Sequence, residues 1–388
     1  MSRTTSSSTS RTPPPKMRSV VALAEGFTLT DRLESNHRLA FKDDFQVYVA
    51  RADGRERHPV FSERKRSTAC PLAWSRDGRT LYEAHDQIYA VDVATGDAPA
   101  ITAFLEEQHF SVTWNLSLSP DGRTLFFRQT LRERERPDWR ARLCTISTDG
   151  TGFRVVQDHP PDGHLWFADV HWESRRVVVA ITQKGGGDYW LTDLDGGDLS
   201  LLCEAPSSTQ PSLSPDGSAF VCSGDQGLYL FSVPDGKPRK LSRAGNSPAW
   251  SPDGRRIAFM NEDYELWLLE PESGNLSKIA WMAGRNIRNG RRGGSYATEP
   301  VWSPDGRLLW FRLTKTHRLR KPRDPDAVEK FKASTLYQGI SEEQREAACR
   351  RHMEQQYWHF SHKYGVVDFS EHKVWLTEGH CRDVAWSW

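Results

Sequence analysis

Short runs of aromatic and β-branched residues recur along this chain, each entered through the same polar turn. Ala73-Trp74-Ser75-Arg76-Asp77-Gly78 leads into Thr80-Leu81-Tyr82, and Ser117-Leu118-Ser119-Pro120-Asp121-Gly122 leads into Leu125-Phe126-Phe127. The pattern returns as Ser212-Leu213-Ser214-Pro215-Asp216-Gly217 before Ala219-Phe220-Val221, and as Ala249-Trp250-Ser251-Pro252-Asp253-Gly254 before Ile257-Ala258-Phe259. Val301-Trp302-Ser303-Pro304-Asp305-Gly306, before Leu309-Trp310-Phe311, completes the clear copies. Such runs read as strands. Asp-Gly supplies the positive φ that a tight hairpin turn requires, and a preceding Pro fixes its own φ.

A third run follows in each unit, for example Gln87-Ile88-Tyr89-Ala90-Val91 or Glu265-Leu266-Trp267-Leu268-Leu269, and a further turn leads to a fourth. Each unit is therefore a four-stranded antiparallel meander of about 40 residues, the period of propeller blades. A degenerate copy, His171-Trp172-Glu173-Ser174-Arg175-Arg176, keeps a Trp and the strand Val177 to Ile181 but lacks Pro-Asp-Gly. The last residues, Asp383-Val384-Ala385-Trp386-Ser387-Trp388, read as the first strand of one more unit, and Arg38 to Phe61 supplies its other three strands. Five clear units, one degenerate unit and one split between the termini predict an all-β, seven-bladed propeller whose last blade is closed by both chain ends. Closure of this kind pairs edges that would otherwise stay open.

These motifs resemble the TolB-like or PD40 type of WD40-related propeller over roughly residues 36 to 388. That family includes binding proteins, peptidase-associated domains and a lyase, so the resemblance implies a fold and leaves activity open. Within the 388 residues, 31–388 are assigned to one propeller domain and 1–30 to a Ser/Thr/Pro-rich tail and lead-in, with disorder expected in the tail. Basic and acidic side chains balance at 52 against 51, which gives no global argument for nucleic acid or a membrane surface. Val20 to Ala24 is too short for a membrane span or a signal core, and a cytoplasmic location is the expectation. Cys70, Cys144, Cys203, Cys222, Cys349 and Cys381 lack metal-like spacing and read as reduced structural thiols. Trp74, Trp172, Trp250, Trp302 and Trp386 are aligned as one column packing between blades.

If the Asp-Gly turns share one face, the loops between second and third strands and the connections between blades share the other. Every long insertion falls there: Leu131 to Arg140 in blade 2, Ala283 to Gly294 between blades 5 and 6, and about 315–363 in blade 6. The last carries a capping-box signal, Ser341-Glu342-Glu343-Gln344, and is expected to be helical. Arg285, Arg288, Arg291 and Arg292 in the Gly-rich connection form a candidate clamp for phosphate or carboxylate, or a solvated surface loop.

Three positions before the Trp/Leu column stand Pro71, Asn115, Asp169, Gln210, Ser247, Glu299 and Asp383, a set expected to line the channel mouth. Asn115, Asp169, His171, Gln210, Glu299 and Asp383 are the ligand-binding candidates there. Asp169, Glu299 and Asp383 with His164 and His380 are the metal candidates, of a kind that suits a hard divalent cation. Hydration alone also accounts for a polar channel lining. The chain is also similar to the oligogalacturonate lyases in blade number and repeat type. That family's metal-binding histidines fall in this column, where Gln210, Ser247 and Glu299 stand instead.

No Gly-x-Ser-x-Gly elbow, phosphate-binding Gly-x-x-x-x-Gly-Lys, Cys-x-x-Cys or His-Glu-x-x-His is present. Two functions remain. The first is a monomeric binding scaffold whose decorated face takes a protein partner, an anionic small molecule or a carbohydrate. The second is a carbohydrate-active or other small-molecule enzyme of lyase or hydrolase type, with carboxylates and histidines at the mouth.

Overall fold

The sequence folds as seven sheets whose blade strands pair antiparallel. This computed structural model describes residues 21–43, 46–62, 71–104, 110–131, 140–158, 160, 163–183, 186–205, 209–224, 226–283, 300–318, 358–377 and 382–388, with six single positions between 326 and 349. Two short strands, β1 (Val21–Leu23) and β2 (Thr28–Thr30), precede the ring, and β3 (Arg38–Asp43), β4 (Gln46–Arg51) and β5 (His58–Ser62) follow. Blade 1 contains β6 (Leu72–Trp74), β7 (Thr80–Ala84) and β8 (Ile88–Asp92), extended by a bridge from Tyr89 to Ala100. Blade 2 is β9 (Phe110–Leu118), β10 (Thr124–Leu131), β11 (Arg140–Ser147) and β12 (Arg154–Gln157). Blade 3 is β13 (His164–His171), β14 (Arg176–Gln183), β15 (Gly186–Asp193) and β16 (Ser200–Ala205). Blade 4 is β17 (Ser212–Leu213), β18 (Ala219–Gly224), β19 (Gly227–Ser232) and β20 (Pro238–Lys240). Blade 5 is β21 (Asn246–Trp250), β22 (Ile257–Met260), β23 (Leu266–Leu269) and β24 (Leu276–Met282). Blade 6 is β25 (Val301–Trp302), β26 (Leu308–Arg318), β27 (Trp358–Asp368) and β28 (Lys373–Thr377).

The seventh blade is β29 (Arg382–Trp386) followed by β3, β4 and β5, so both chain ends build one sheet as the repeat predicts. Before reaching it, the chain braces the outer rim. β1 adds an antiparallel fifth strand to β24, and β2 adds a parallel one to β28. Phe27, between them, packs edge-on against Phe369. The insertion in blade 6 runs from β26 to β27, with helical backbone at Glu329, Lys332, Arg345, Glu346 and Cys349 among its few described positions.

The repeated turn is a small hydrogen-bond machine. In each clear copy the Ser hydroxyl donates to the Asp carboxylate, at 2.7 Å for Ser75–Asp77 and 2.5 Å for Ser251–Asp253. The same hydroxyl accepts the amide that opens the second strand, Thr80 at 2.9 Å and Arg256 at 2.9 Å. Hydrogen bonds from the serine hold the carboxyls of Asp77, Asp121 and Asp216 below the ordinary aspartate range. A depressed folded-state value stabilises the fold above the unfolded value near ~3.9, and that contribution is lost as pH falls through the folded value. Thermal melts should therefore drop steeply only below about pH 3.9, and Asp216→Asn should make that drop shallower. An acid limb unchanged by the substitution would sink this account.

Neighbouring blades are tied by indoles. Trp74 Nε1 donates to Ala385 O at 3.2 Å, Trp302 Nε1 to Ala249 O at 3.1 Å and Trp386 Nε1 to Val301 O at 2.9 Å. Each indole thus bonds the residue just before the matching column position of the preceding blade.

The degenerate blade corrects the sequence alignment. Val170 pairs with Val177 and His171 with Arg176, as Trp74 pairs with Leu81 in blade 1, while the Leu194 amide bonds Arg175 O as Val93 bonds Arg79 O. His171 therefore takes the place of the turn serine, and Trp172 lies in the turn instead of in the column. Without Pro-Asp-Gly as a marker, alignment on the Trp displaces this blade by two residues. Trp172 still reaches back to blade 2, donating to Ser117 Oγ at 3.0 Å.

Candidate functional site

The two-residue displacement changes the ring of candidate residues. In blade 3 the position equivalent to Asn115 and Gln210 belongs to Phe167, a half-buried side chain packed toward blade 4. Asp169 instead occupies the position before the column, where other blades offer a carbonyl to an indole. Its carboxylate accepts the Leu213 amide at 2.8 Å with one oxygen and its own neighbour's Val170 amide at 2.9 Å with the other. Although the residue is half-exposed overall, the carboxyl itself is enclosed, and burial pushes it up to about 6 against the opposing pull of those two amides.

The other polar positions sit where the inner strands depart from regular pleating. Asn115 and Ser247 share one register position, and both have left-handed backbone, with φ of 60° and 52°. Register shifts interrupt β9 between the partners of Phe126 and Arg128, β21 between Asn246 and Ala249, and β29 between Arg382 and Ala385. Bulges re-aim side chains, so simple alternation does not predict their direction. Asn115 uses its amide on blade 3, donating from Nδ2 to Ala168 O and accepting the Ala168 amide at 3.3 Å. Gln210 is half-buried just ahead of β17.

His164 and His171 are not brought together. His164 opens β13 and His171 closes it, a separation of roughly 23 Å at ~3.3 Å per residue. His171 faces the turn end, where Nε2 donates to Pro215 O at 2.8 Å and Nδ1 meets Ser174 Oγ at 2.7 Å. It lies away from the insertion-bearing face. Glu299, His380, Arg285, Arg288, Arg291 and Arg292 lie outside the described residues, and Asp383 is described only in its backbone. Among the described residues no group of three His, Cys, Asp or Glu side chains is assembled that would hold a metal ion.

Sequence reasoning overlooked ionic and polar groups on the second strands. Two residues after the partner of the column residue stand Phe41, Phe127, Val179, Cys222, Phe259 and Phe311 in six blades, but Glu83 in blade 1. Glu83 is 0% exposed and pairs at 2.6 Å with Lys42 of blade 7, itself 4% exposed. One residue on, Arg128 is buried and donates to Leu165 O at 3.0 Å, and desolvation lowers its guanidinium to about 10. The signal was present as a break in an apolar column. Tyr189, fully buried, bonds Thr209 O at 3.0 Å and so helps join blades 3 and 4. Cys144, Cys203 and Cys222 are unbridged, and burial pushes each thiol up to about 12.

No family model matches the chain. A TolB homologue of Chlorobium chlorochromatii is 29% identical over 146 residues, 35% of this chain and 30% of that protein. The chain is a TolB-like β-propeller. A Tol-Pal system protein TolB of Anaeromyxobacter dehalogenans is 31% identical over 113 residues, 26% of each chain. Matches to the curated relatives span between 26% and 56% of their lengths. A solved oligogalacturonate lyase in complex with manganese superposes with a TM-score of 0.53 at 14% identity, covering 76% of this chain and 94% of that one, a likeness of fold. The cytoplasmic expectation is overturned by these matches, because TolB proteins are periplasmic components of the Tol-Pal system. No helix among the described residues is long and apolar enough to cross a membrane.

Proposed function

We propose that this propeller is a binding scaffold that presents its insertion-bearing face to a protein partner, with the Arg-rich connection as a subsite for an acidic group. The observation that carries the reading is topological. β10 and β11 diverge after Leu131 and Arg140, β26 and β27 after Arg318 and Trp358, and β24 leaves for β25 after Met282, all at the end opposite the Asp-Gly turns. Loops held on a rigid scaffold are where binding surfaces concentrate. The TolB relatives add support for a protein partner in general.

Replacing residues 322–356 by a short Gly/Ser linker spares β27 and should leave the melting temperature nearly unchanged. Affinity for a partner isolated on the intact protein and then purified should fall at least tenfold. Heparin serves as a polyanionic probe of the other subsite, and changing Arg285, Arg288, Arg291 and Arg292 together to Ala should weaken its binding by a similar factor. Undiminished affinity in both experiments would remove the decorated face from consideration.

A further inference from the structure

Blade 3 lacks the Ser-x-Asp-Gly turn of the five clear repeats, and what stands in its place has different chemistry. At the turn end of β13 the His171 imidazole meets the Ser174 hydroxyl, with Nδ1 2.7 Å from Oγ. The groups on either side of the ring settle its tautomer. The Ser174 amide can only donate, and it reaches Nδ1 at 3.2 Å, whereas Pro215 O can only accept, and it lies 2.8 Å from Nε2. Nε2 therefore carries the hydrogen, Nδ1 is the basic nitrogen, and the Ser174 hydroxyl donates to it.

The ring is also pinned from the neighbouring blade. At Gly254 and Gly306, in blades 5 and 6, the proline of the preceding turn lies 3.8 and 3.5 Å from where a Cβ would stand. Before blade 4 that proline is missing, and the His171 ring takes the space, with Nδ1 2.6 Å from the corresponding point at Gly217. His171 is half-buried, while Ser174 is exposed. The serines of the clear repeats are committed to structure: Ser214 gives its hydrogen to Asp216 and accepts the Ala219 amide.

We infer that Ser174 is a nucleophile toward carboxylic esters, with His171 as its general base and the Pro215 carbonyl as the group that orients that base. Hydroxyl, imidazole and a third group on the far ring nitrogen are the parts of an activated serine. As Oγ bonds to the acyl carbon, its proton passes to Nδ1. Collapse of the tetrahedral intermediate breaks the bond to the alcohol oxygen, which leaves with that proton. Water, deprotonated by the same Nδ1, then attacks the acyl-serine and releases the acid and the free hydroxyl.

The surrounding charges suit this step. The Asp169 carboxyl, two residues back on β13, lies within range of the charge on His171 and favours the imidazolium formed in it. Arg176 stands directly across the sheet from His171 and so faces the same blade 4 turn. Arg38 and Arg256 hold the corresponding position in blades 7 and 5, and each lays its guanidinium over the next blade's indole, Trp74 or Trp302, and donates to Gly78 O or Gly306 O. Blade 4 has Leu213 in place of that indole, and among the described residues no side-chain hydrogen bond or ion pair engages Arg176. It is the cation at hand for the charge that develops on the attacked carbonyl oxygen.

A fluorophosphonate probe tests the nucleophile, since Oγ displaces fluoride and leaves a stable phosphonyl-serine that peptide mass spectrometry places. In the unaltered protein Ser174 should be modified well ahead of Ser273, an equally exposed serine whose hydroxyl is bonded to the Glu270 carboxylate. His171→Asn keeps a side-chain acceptor for the Ser174 amide but takes no proton, and it should slow both this labelling and the hydrolysis of 4-nitrophenyl acetate at Ser174 by about a hundredfold. Ser174→Ala should abolish the label at that peptide, and Arg176→Ala should slow ester hydrolysis without altering the tautomer of His171 seen by nitrogen-15 resonance. Modification of Ser273 as readily as Ser174 would overturn the proposal, as would a rate at Ser174 untouched by His171→Asn. The first comparison needs no variant, so it decides even if a substitution prevents folding.

Discussion

Trp386→Ala should destabilise the protein by about 3–5 kcal/mol, the cost expected when a buried aromatic is cut back to a methyl. Trp386 is 6% exposed and packs with Leu39, Ala50, Leu308 and Trp310. Its indole also ties blade 7 to blade 6 through Val301 O. The position matters beyond its own area because blade 7 has no covalent turn between its first and second strands. Ser387 stands in for the turn serine: its hydroxyl accepts the Arg38 amide at 2.7 Å, as Ser75 accepts Thr80 within an intact blade. The Ser387 amide returns a bond to Arg38 O at 2.9 Å, and His37 Nδ1 meets Ser387 O at 2.9 Å. Losing the indole weakens the one first strand that no turn joins to its second strand. Chemical denaturation should show the loss in the midpoint, and Trp302→Ala, within a covalently closed blade, should speed unfolding less than Trp386→Ala does. Equal unfolding rates for the two variants would show that the terminal closure has no special weight.

The repeat made the fold readable because one turn carries several requirements at once. Gly must take positive φ, Asp must accept its amides and Ser must close the strand pair, so the motif survives in five blades and fixes their register. Blade 7 was readable for a related reason: its halves keep the column Trp and the second-strand apolar run. Blade 3 was not, since His171 replaces the serine and the nearest Trp lies two residues beyond the column. That displacement placed Asp169 at the channel, whereas the strand pairing places it at a seam. Asn115 and Ser247 were in the expected column, but their left-handed backbone follows from packing around the bulges and has no local sequence mark. The separation of His164 from His171 follows directly once both are assigned to one strand.

Replacing Lys42 should cost about 3–5 kcal/mol, because Glu83 would be left as a buried charge without the ammonium that faces it. Glu83 Oε1 lies 2.6 Å from Lys42 Nζ, while Glu83 Oε2 is buried with no hydrogen-bond partner. A carboxylate so incompletely satisfied is a poor source of net stability. The combined change Lys42→Met with Glu83→Leu should therefore recover most of the loss and match or exceed the parent, as the apolar residues at this position in the other six blades indicate. Thermal and denaturant melts of the two single variants and the double variant test this. A Lys42→Met variant within about 1 kcal/mol of the parent, or a double variant as unstable as the sum of its parts, would contradict it. What such a pair supplies is register, since Lys42 comes from the split blade and Glu83 from blade 1, where the ring must find its own end. A misregistered closure would strand both charges in an apolar column, and only the correct one brings them together. The double variant should then fold as stably but close less faithfully, visible as a slower or multiphasic refolding trace where the parent gives one phase.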